Sequence, residues 1–253
     1  MRFENRVALV TGAGSGIGQS TALRLLEEGA TVIGVDISEK GLAVTKVSAE
    51  SLGLAGRLDC VVADVSEEEV VGGVLAEAID RAKRLDVLVN AAGIIRCEHT
   101  DKTSLDLWNL VLKTNLTSTF LVTRQCLPHL LATGRGVVVN FSSTSASFAH
   151  PYMAAYASTK GGIQAFTHAI AAEYAKEGLR AVSVAPGSID SGMTRATGLP
   201  DDADMSLFMK LTPALGAGMA GPETVAGVVA MLASDDGRFI TGTELRIDGG
   251  THM

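Results

Sequence analysis

A glycine-rich segment near the start of the chain restricts the folds that the chain can adopt. Residues 6–11 form a short apolar run typical of a buried strand, and residues 19–28 carry apolar side chains at helical spacing. The segment between them contains Gly12, Gly14, Gly16 and Gly18. Glycines permit positive φ and close approach of a ligand, and a helix N-terminus offers free N–H groups and partial positive charge to a pyrophosphate. This strand-to-helix turn therefore predicts a dinucleotide site.

A carboxylate follows the second strand at the distance expected for dinucleotide-binding folds. Residues 30–35 are of strand type and end at Asp36, which could accept hydrogen bonds from the adenosine ribose hydroxyls. Asp36 would repel a 2′-phosphate, and neither Ser15 nor Ile37 offers a basic group to offset that repulsion. We therefore expect NAD(H) rather than NADP(H). The alternative is that Asp36 is a surface loop acid or caps the next helix, a role that Ser38 could fill equally well.

Strand-type and helix-type segments alternate along the whole sequence. The other strand-type runs lie at residues 58–63, 86–89, 137–139, 181–185 and 244–247. Helical patterns cover residues 39–52, 67–84 with Ser66 as N-cap, 105–131 with a bend near Asn115, the segment around Tyr156 and Lys160, and residues 222–233. Seven strands with intervening helices predict an α/β fold of the Rossmann type, a doubly wound parallel seven-stranded sheet with helices on both faces. We expect residues 1–253 to form a single dinucleotide-binding and catalytic domain, with a substrate loop at about residues 188–221.

Small and polar residues follow the predicted strands at their carboxyl ends. They are Gly12, Asp36, Asp64, Asn90, Ser143 and Pro186. In an open parallel sheet, ligands bind outside the carboxyl ends of the strands. The sequence therefore predicts that these residues meet along one edge of the sheet and form a common site.

Tyr156 and Lys160 lie four residues apart, and Ser143 precedes the tyrosine by thirteen residues. Positions i and i+4 share a helix face, so the phenol and the ammonium would point into one site. An ammonium near a phenol favours the phenolate, and we expect it to lower the pKa of Tyr156 from about 10 and so permit proton exchange with an alcohol or carbonyl. Ser143, at a strand end, could hydrogen-bond the same substrate oxygen. The alternative is coincidence, since such pairs occur on many ordinary helices.

Composition and charge argue against several classes of function. The net charge of −7 and the lack of a basic run argue against a nucleic-acid partner. Cys60, Cys97 and Cys126 are scattered without metal-ligand spacing, so we expect reduced thiols and no metal site. No apolar stretch is long enough to span a bilayer, and the N-terminus runs into the first strand without a signal peptide. These features predict a cytoplasmic protein without a membrane partner.

With these motifs in this order, the chain resembles the short-chain dehydrogenase/reductase family over essentially its whole length. The motifs are Thr11-Gly-Ala-Gly-Ser-Gly-Ile-Gly, Asp64-Val65, Asn90-Ala-Ala-Gly, Asn115, Ser143, Tyr156-Ala-Ser-Thr-Lys160, Pro186-Gly187, Ile240-Thr-Gly and Asp248-Gly-Gly. Members of this family are commonly homotetramers that pair their long helices. We therefore expect a homotetramer here, and the apolar Leu116, Phe120 and Phe166 permit such pairing.

The resemblance implies a catalytic set of Asn115, Ser143, Tyr156 and Lys160. Tyr156 would be the general acid/base, Ser143 would polarise the substrate oxygen, and Lys160 would bind the nicotinamide ribose while lowering the tyrosine pKa. Asn115 would break its helix and hold a water that links Lys160 to solvent. Taken alone, Asn115 could be an ordinary capping amide. Ser142 competes with Ser143, but only Ser143 has the family's spacing to Tyr156.

The resemblance also implies a nicotinamide cofactor held at the same edge of the sheet. The expected cofactor contacts are Gly12, Ser15, Gly16, Ile17, Gly18, Asp36, Asp64, Val65, Asn90, Ala91, Gly93, Tyr156, Lys160, Pro186, Gly187, Ile189 and Ser191. Asp64 would bind the adenine amino group, Asn90 would line the adenine-ribose side, and Ile189 would hold the carboxamide through its backbone. Taken alone, Asp64 and Asn90 could be turn residues. Ser191 stands where the family usually has threonine, and residues 215–223 lack an arginine often found there, which leaves the loop conformation open.

Together these features predict reversible hydride transfer between a secondary alcohol and a nicotinamide. We expect NAD as the cofactor and alcohol oxidation as the direction in the cell. The alternatives are an NADPH-dependent biosynthetic ketoreductase and, in a different class, a non-catalytic NAD-binding sensor. A sugar, a hydroxy acid, a small cyclic alcohol or a steroid would each be compatible as the substrate.

Three loops are expected to build the substrate pocket. They contribute Ile94, Ile95 and Arg96 after Gly93, then Ser145, Phe148, His150 and Tyr152 after Ser143, and residues 193–211. The apolar Met193, Leu199, Met205, Phe208 and Met209 could form an adaptable lid or pack as an ordinary amphipathic segment. Arg96 or His150 could meet a polar or anionic substrate group, or each could be a surface residue.

Overall fold

A seven-stranded parallel sheet forms the centre of the computed structural model, which describes residues 1–216 and 218–253. In chain order the strands are β1 (Val7–Thr11), β2 (Thr31–Asp36), β3 (Leu58–Val62), β4 (Val87–Asn90), β5 (Val137–Phe141), β6 (Arg180–Pro186) and β7 (Glu244–Ile247). They are ordered β3-β2-β1-β4-β5-β6-β7 across the sheet, and neighbouring strands are parallel. The strand order reverses between β1 and β4, as in a doubly wound sheet, so the predicted fold class is confirmed.

The helices lie in the connections between the strands. They are α1 (Gly16–Glu27), α2 (Glu39–Ser51), α3 (Glu68–Val70 and Ala76–Ala82, joined by a π-helical turn at Val71–Leu75), α4 (Leu105–Leu112), α5 (Ser118–Ala132), α6 (Ala154–Tyr174), α7 (Gly192–Arg195) and α8 (Pro222–Ala233). Short 3-10 turns occupy Ala55–Arg57, Thr100–Lys102, Thr144–Ala146, Ala175–Glu177, Met205–Leu211 and Asp235–Gly237. None of the helices in the described ranges has both the length and the apolar character that crossing a bilayer requires.

Helices cover both faces of the sheet because successive strand residues point to opposite sides. On one face, Val10 of β1 is buried in the same cluster as Leu25 of α1 and Val229 of α8. On the other face, Leu9 of β1 is buried with Ile79 of α3 and with residues of α5 and α6. Since both faces are occupied by helices, the carboxyl edge of the sheet is left as the place where a ligand can enter.

The long helical segment after β4 is interrupted where the sequence predicts a bend. A π-helical turn at Lys113–Thr117 separates α4 from α5, and Asn115 is its central residue. A π-helical turn inserts one extra residue into the helical ladder and rotates the side chains that follow. The bend near Asn115 is therefore confirmed.

The helix after β3 differs from its prediction at its start. The prediction that Ser66 is the N-cap is wrong, because Glu67 occupies the cap position. The hydroxyl of Ser66 instead donates to Asp64 Oδ1 at 2.7 Å. The same helix contains Gly72 and Gly73 within its π-helical turn, and adjacent glycines weaken the regular α-helix there.

Candidate active site

A cavity of about 560 Å³ lies along the carboxyl edge of the sheet, where the sequence predicts the site. The predicted site residues that line it are Gly12, Ser15, Gly16, Ile17, Gly18, Asp36, Asp64, Val65, Ala91, Gly93, Ser143, Tyr156, Lys160, Pro186, Gly187, Ile189 and Ser191. Asn90 and Asn115 belong to the predicted set but do not line the cavity. The fold thus brings residues that are far apart in the sequence, from Gly12 to Ser191, into one space.

The glycine-rich turn leaves the start of α1 open to a ligand. Gly12 and Gly16 have φ of 69° and 53°, in the left-handed region that favours glycine. A Cβ on Gly18 would lie 2.1 Å from the carbonyl oxygen of Gly12, so the helix can pack on the turn only without a side chain there. Ser15 precedes the helix and makes no side-chain capping bond. The first N–H groups of α1 therefore remain available to a pyrophosphate, and this cradle fits a dinucleotide.

Asp36 is held on the cavity wall by backbone N–H groups. Its Oδ2 accepts a hydrogen bond from Gly14 N at 2.9 Å, and its Oδ1 accepts one from Ser38 N at 2.8 Å. Ser38 is the N-cap of α2, since its hydroxyl accepts from Gly41 N at 3.0 Å. Asp36 is therefore not the helix cap. Each of its carboxylate oxygens keeps a lone pair for a ligand hydroxyl.

Asp64 both stabilises a turn and lines the cavity. Its Oδ1 accepts hydrogen bonds from the Ser66 backbone N–H at 2.9 Å and from the Ser66 hydroxyl at 2.7 Å. Both Asp64 and the adjacent Val65 line the cavity. A carboxylate fixed through one oxygen can still accept a hydrogen bond through the other, which suits an amino group of a ligand.

The side chain of Asn90 does not face the cavity, and the contact of Asn90 with the adenine-ribose side stays a prediction. It is 3% exposed, and its Nδ2 donates to Asn140 Oδ1 at 2.8 Å and to Thr123 Oγ1 at 3.0 Å. Asn140 donates in turn to Thr167 Oγ1 at 2.9 Å. Asn90 and Asn140 are register partners on β4 and β5, so their amides point to the same side of the sheet. The side chain therefore joins a polar network inside the fold.

Tyr156 and Lys160 meet Ser143 at the floor of the cavity. Tyr156 is 9% exposed and Lys160 is 5% exposed, and both lie on α6. The Lys160 ammonium donates to the Phe141 carbonyl oxygen at 2.7 Å and lies 5.4 Å from the centroid of the Tyr156 ring. The Ser143 Oγ accepts from Ser145 N at 3.2 Å, and its hydroxyl also lies beside the Tyr156 phenol. The predicted trio is thus assembled in one place.

Burial governs the protonation of the two helix residues. It raises the pKa of Tyr156 to about 12, an effect partly offset by the nearby Ser143 hydroxyl. It also lowers the pKa of Lys160 to about 8. The expectation of a Tyr156 pKa below about 10 is wrong for this structure, because the loss of water around the buried phenol raises that pKa. Tyr156 is protonated at neutral pH, in the form that can donate a proton to a carbonyl oxygen.

Asn115 fastens the loop after β4 to α6. It is fully buried, its Oδ1 accepts from Ile94 N at 2.8 Å, and its Nδ2 donates to Ile94 O at 2.9 Å and to Thr159 Oγ1 at 3.2 Å. A Cβ on Gly93 would lie 3.1 Å from Asn115 Oδ1 and 3.9 Å from Lys160 Nζ. The amide and the ammonium therefore approach the same small residue. The role of Asn115 in holding a water stays a prediction.

The substrate side of the cavity is mostly apolar. Its lining includes Ile94, Arg96, Leu110, Met193 and Thr194. Ile95 was expected in the pocket but packs behind this wall, in a buried cluster with Cys97 and Tyr156. The cluster fixes the segment after β4 against α6, which positions Arg96 beside the cavity.

The predicted lid divides into two parts. Met193 and Leu199 pack against the buried cluster around Tyr156, and Met193 also lines the cavity. Met205 and Met209 are 60% and 76% exposed, on the 3-10 turn that ends the segment. The first part of the lid therefore belongs to the pocket wall, whereas the second part leaves its methionines in solvent.

The loop after Ser143 supports the site rather than lining it. Ser145, Phe148, His150 and Tyr152 were expected in the pocket, and none of them lines the cavity. The Phe148 ring stacks on His252 with centroids 4.1 Å apart. His150 interacts with the Phe148 carbonyl at 3.2 Å, and burial lowers the pKa of His150. The Tyr152 hydroxyl accepts from Asp204 N at 2.8 Å, which joins this loop to the substrate loop.

Several cavity residues were missed by the sequence reasoning. Lys113 and Thr114 reach the cavity from the π-helical turn, and Lys113 Nζ pairs with Glu67 Oε1 at 2.5 Å. Their position beside Asn115, at a predicted bend, is the signal that could have found them. Ser142 also lines the cavity, and its hydroxyl donates to the Lys160 backbone oxygen at 3.2 Å.

The cysteines take no part in the lining. Cys60, Cys97 and Cys126 are free thiols, and burial raises the pKa of each one. Within residues 1–216 and 218–253, no group of three or more histidine, cysteine or carboxylate side chains is arranged to hold a metal ion.

Comparison with known proteins relates this geometry to oxidoreductases. A family model described as enoyl-(acyl carrier protein) reductase matches residues 12–252. The chain is 37% identical to a 3-oxoacyl-(acyl-carrier-protein) reductase of Thermotoga maritima, over 99% of each chain. It is 36% identical to a cyclohexanol dehydrogenase of an Acinetobacter species, over 98% of this chain and 95% of that one. The crystal structure of 3-ketoacyl-(acyl-carrier-protein) reductase from Brucella melitensis complexed with NADH matches with a TM-score of 0.88 and 27% identity, over 99% of this chain and 100% of that chain.

Proposed function

The chain belongs to the short-chain dehydrogenase/reductase family, and we propose that it is an NAD(H)-dependent oxidoreductase that interconverts a secondary alcohol and a ketone. The observation that carries this proposal is the meeting of Ser143, Tyr156 and Lys160 with the glycine-rich turn around one cavity. A proton-exchanging phenol beside a dinucleotide cradle is the arrangement that such a reaction needs.

In the proposed reaction, Tyr156 exchanges the proton of the substrate oxygen. A bound nicotinamide supplies the hydride acceptor for oxidation and the hydride donor for reduction. Ser143 donates a hydrogen bond to the substrate oxygen, and Tyr156 takes the hydroxyl proton in oxidation or returns it to the carbonyl oxygen in reduction. Asn115 is proposed to complete the catalytic set by holding the loop after β4 in place and by retaining a water near Lys160 for proton exchange with solvent.

Asp36 supports NAD(H) as the cofactor. Its carboxylate is fixed on the cavity wall by Gly14 N and Ser38 N, so it cannot turn away from a ligand without losing both hydrogen bonds. A fixed negative charge there repels a 2′-phosphate and accepts from a 2′-hydroxyl. The remaining proposed cofactor contacts are the cavity-lining residues of the predicted set, without the side chain of Asn90.

A biosynthetic ketoreductase using NADPH is the second candidate. One observation favours reduction as the working direction: the relative from Thermotoga maritima is named a reductase. The relative named cyclohexanol dehydrogenase favours the oxidation of an alcohol. Direction and cofactor are therefore tested together.

The experiment follows absorbance at the NADH band with NAD or NADP and a panel of secondary alcohols, and in reverse with the matching ketones. We expect turnover with NAD(H) that is lost in Tyr156→Phe, and an Asp36→Ala variant that gains activity with NADP(H). A preference of the wild-type protein for NADP(H) would support the second candidate. Tight NADH binding without turnover in either direction would instead favour the non-catalytic sensor.

We also propose that the protein is a cytoplasmic homotetramer. Phe120 of α5 is 43% exposed and packs edge-to-face on Phe166 of α6, with ring centroids 6.3 Å apart. Arg124 lies over the Phe120 ring at 5.2 Å. An exposed aromatic ring that packs on a second, partly buried ring of a neighbouring long helix supports pairing with a second copy. Sedimentation equilibrium of the purified protein gives the number of subunits directly.

A further inference from the structure

Arg96 places a cation beside the substrate side of the cavity. Its neighbours Ile95 and Cys97 are 7% and 6% exposed and pack in the cluster that contains Tyr156, so the chain is fixed on both sides of the arginine. Arg96 lines the cavity, and its Nη1 donates to the Ile95 carbonyl oxygen at 2.7 Å. Cys97 N donates to Thr197 O at 3.1 Å, which ties this segment to the substrate loop.

The carboxylates that line the same cavity are engaged with other groups. Asp36 accepts from backbone N–H groups, Asp64 accepts from its own turn, and Glu67 pairs with Lys113. In the part of the chain that the structure describes, no carboxylate forms an ion pair with Arg96. The guanidinium thus brings an uncompensated positive charge to the cavity.

We propose that Arg96 binds an anionic group of the substrate, so that the alcohol or ketone taken by this site also carries a carboxylate or a phosphate. This inference rests on the proposed oxidoreductase function. A guanidinium presents five N–H donors in a planar fork that matches a carboxylate or a phosphate, and the Ile95 carbonyl oxygen takes one of them. The substrate anion takes the donors that remain.

An anionic substrate would depend on Arg96 for its attraction to this site. The chain carries a net charge of −7, so an anionic substrate is disfavoured at long range and depends on a local cation. Arg96 is exposed, so its charge is open to an entering anion, and the neighbouring lining residues Ile94, Leu110 and Met193 are apolar. The substrate is held at two points, with its reacting oxygen at Ser143 and its anion at Arg96. Hydroxy acids and phosphorylated alcohols meet both requirements, whereas a neutral cyclic alcohol meets only one.

The test compares short-chain hydroxy acids and hydroxyalkyl phosphates with their neutral esters, which keep the alcohol and lose the charge. Steady-state kinetics with NAD are measured for the wild type, Arg96→Gln and Arg57→Gln. Arg57 is the matched control, because it also donates to one backbone carbonyl, Ala30 O at 3.3 Å, and does not line the cavity.

We expect the wild type to prefer the charged compounds over their esters. Arg96→Gln should lose about 10- to 100-fold in kcat/KM on the charged compounds, mainly through KM, with the esters and the KM for NAD unchanged. Arg57→Gln should behave as the wild type. Whether the carboxylates or the phosphates show the larger loss identifies the anion.

Three results would overturn the assignment: a wild-type preference for the esters, an equal loss on acids and esters, or a loss confined to the KM for NAD. Calorimetric titration of the acids and esters into Tyr156→Phe with NAD separates this outcome from failure of the proposed reaction. Binding of the anion that depends on Arg96, without turnover in the wild type, would support the site and contradict the reaction. Turnover of neutral alcohols only would support the reaction and contradict the site.

Discussion

At the scale of single residues, Lys160 stands out as a charge kept almost entirely from water. Its side chain is 5% exposed, and burial lowers its pKa to about 8 from the ordinary 10.5. At neutral pH the ammonium is nevertheless charged, at a cost of about 3 kcal/mol in folding free energy. Its hydrogen bond to Phe141 holds it beside Tyr156. Burial of the Lys160 charge destabilises the folded protein. A destabilising residue of this kind is expected where its position is needed for a reaction.

Replacing Lys160 with methionine should raise the free energy of unfolding at pH 7 by about 1–3 kcal/mol and abolish turnover. The folded-state pKa lies below the unfolded one, so the unfolded chain binds more protons between about pH 8 and 10.5. Wild-type stability therefore rises across that window relative to the variant, and the difference between the two proteins narrows. Urea unfolding from pH 7 to about 10.5 measures it. Lys46→Met, at an exposed lysine of α2, is the control. A methionine variant less stable than the wild type at pH 7 would contradict the argument.

At the scale of secondary-structure elements, replacing glycine with alanine should have opposite effects on the stability of α1 and α3. In α1, a Cβ on Gly18 would lie 2.1 Å from Gly12 O, and a backbone atom cannot move aside as a flexible side chain can. In α3, a Cβ on Gly72 would meet nothing within 4 Å. Gly18 is required because α1 packs against the glycine-rich turn at this position, whereas Gly72 only lowers the stability of α3.

Gly18→Ala should therefore separate α1 from the turn, weaken NADH binding by at least about tenfold and lower the melting temperature. Gly72→Ala should leave NADH binding unchanged and stabilise the protein by about 0.5–1 kcal/mol, since alanine has the higher helix propensity. NADH fluorescence titration and thermal unfolding of both variants measure the two effects. Normal cofactor binding by Gly18→Ala would show that the turn does not cradle the dinucleotide.

At the scale of the whole molecule, the sheet and its binding edge could be predicted because they depend on local patterns. The last helix and the last strand have the bounds expected from the sequence, Pro222–Ala233 and Glu244–Ile247. The order of apolar runs, glycines and strand-end polar residues also suffices to place the cavity, since parallel strands end at one edge. These features do not depend on how the side chains are arranged in detail.

Side-chain direction and protonation could not be predicted, because they depend on partners far along the chain. The hydrogen-bond partners of Asn90 are 33 and 50 residues away, and only the folded sheet shows that they lie inside it. The spacing of Tyr156 and Lys160 indicates that they are close together, but the burial that shifts both pKa values depends on the surrounding side chains. Lys113 lines the cavity from the start of the π-helical turn, and the sequence indicates only a bend near this position.

The buried network around Asn90 connects β4, β5, α5 and α6, so it bears on the stability of the whole sheet. Asn90→Leu would leave Asn140 Oδ1 without the donor that now lies at 2.8 Å, at a cost of about 1–3 kcal/mol. Because the Asn90 side chain does not line the cavity, the KM for NAD should remain within about twofold of the wild type. Urea unfolding and steady-state kinetics measure both quantities, and a double-mutant cycle with Asn140→Leu isolates the interaction between the two amides. A large rise in the KM for NAD with little loss of stability would place this amide at the cofactor after all.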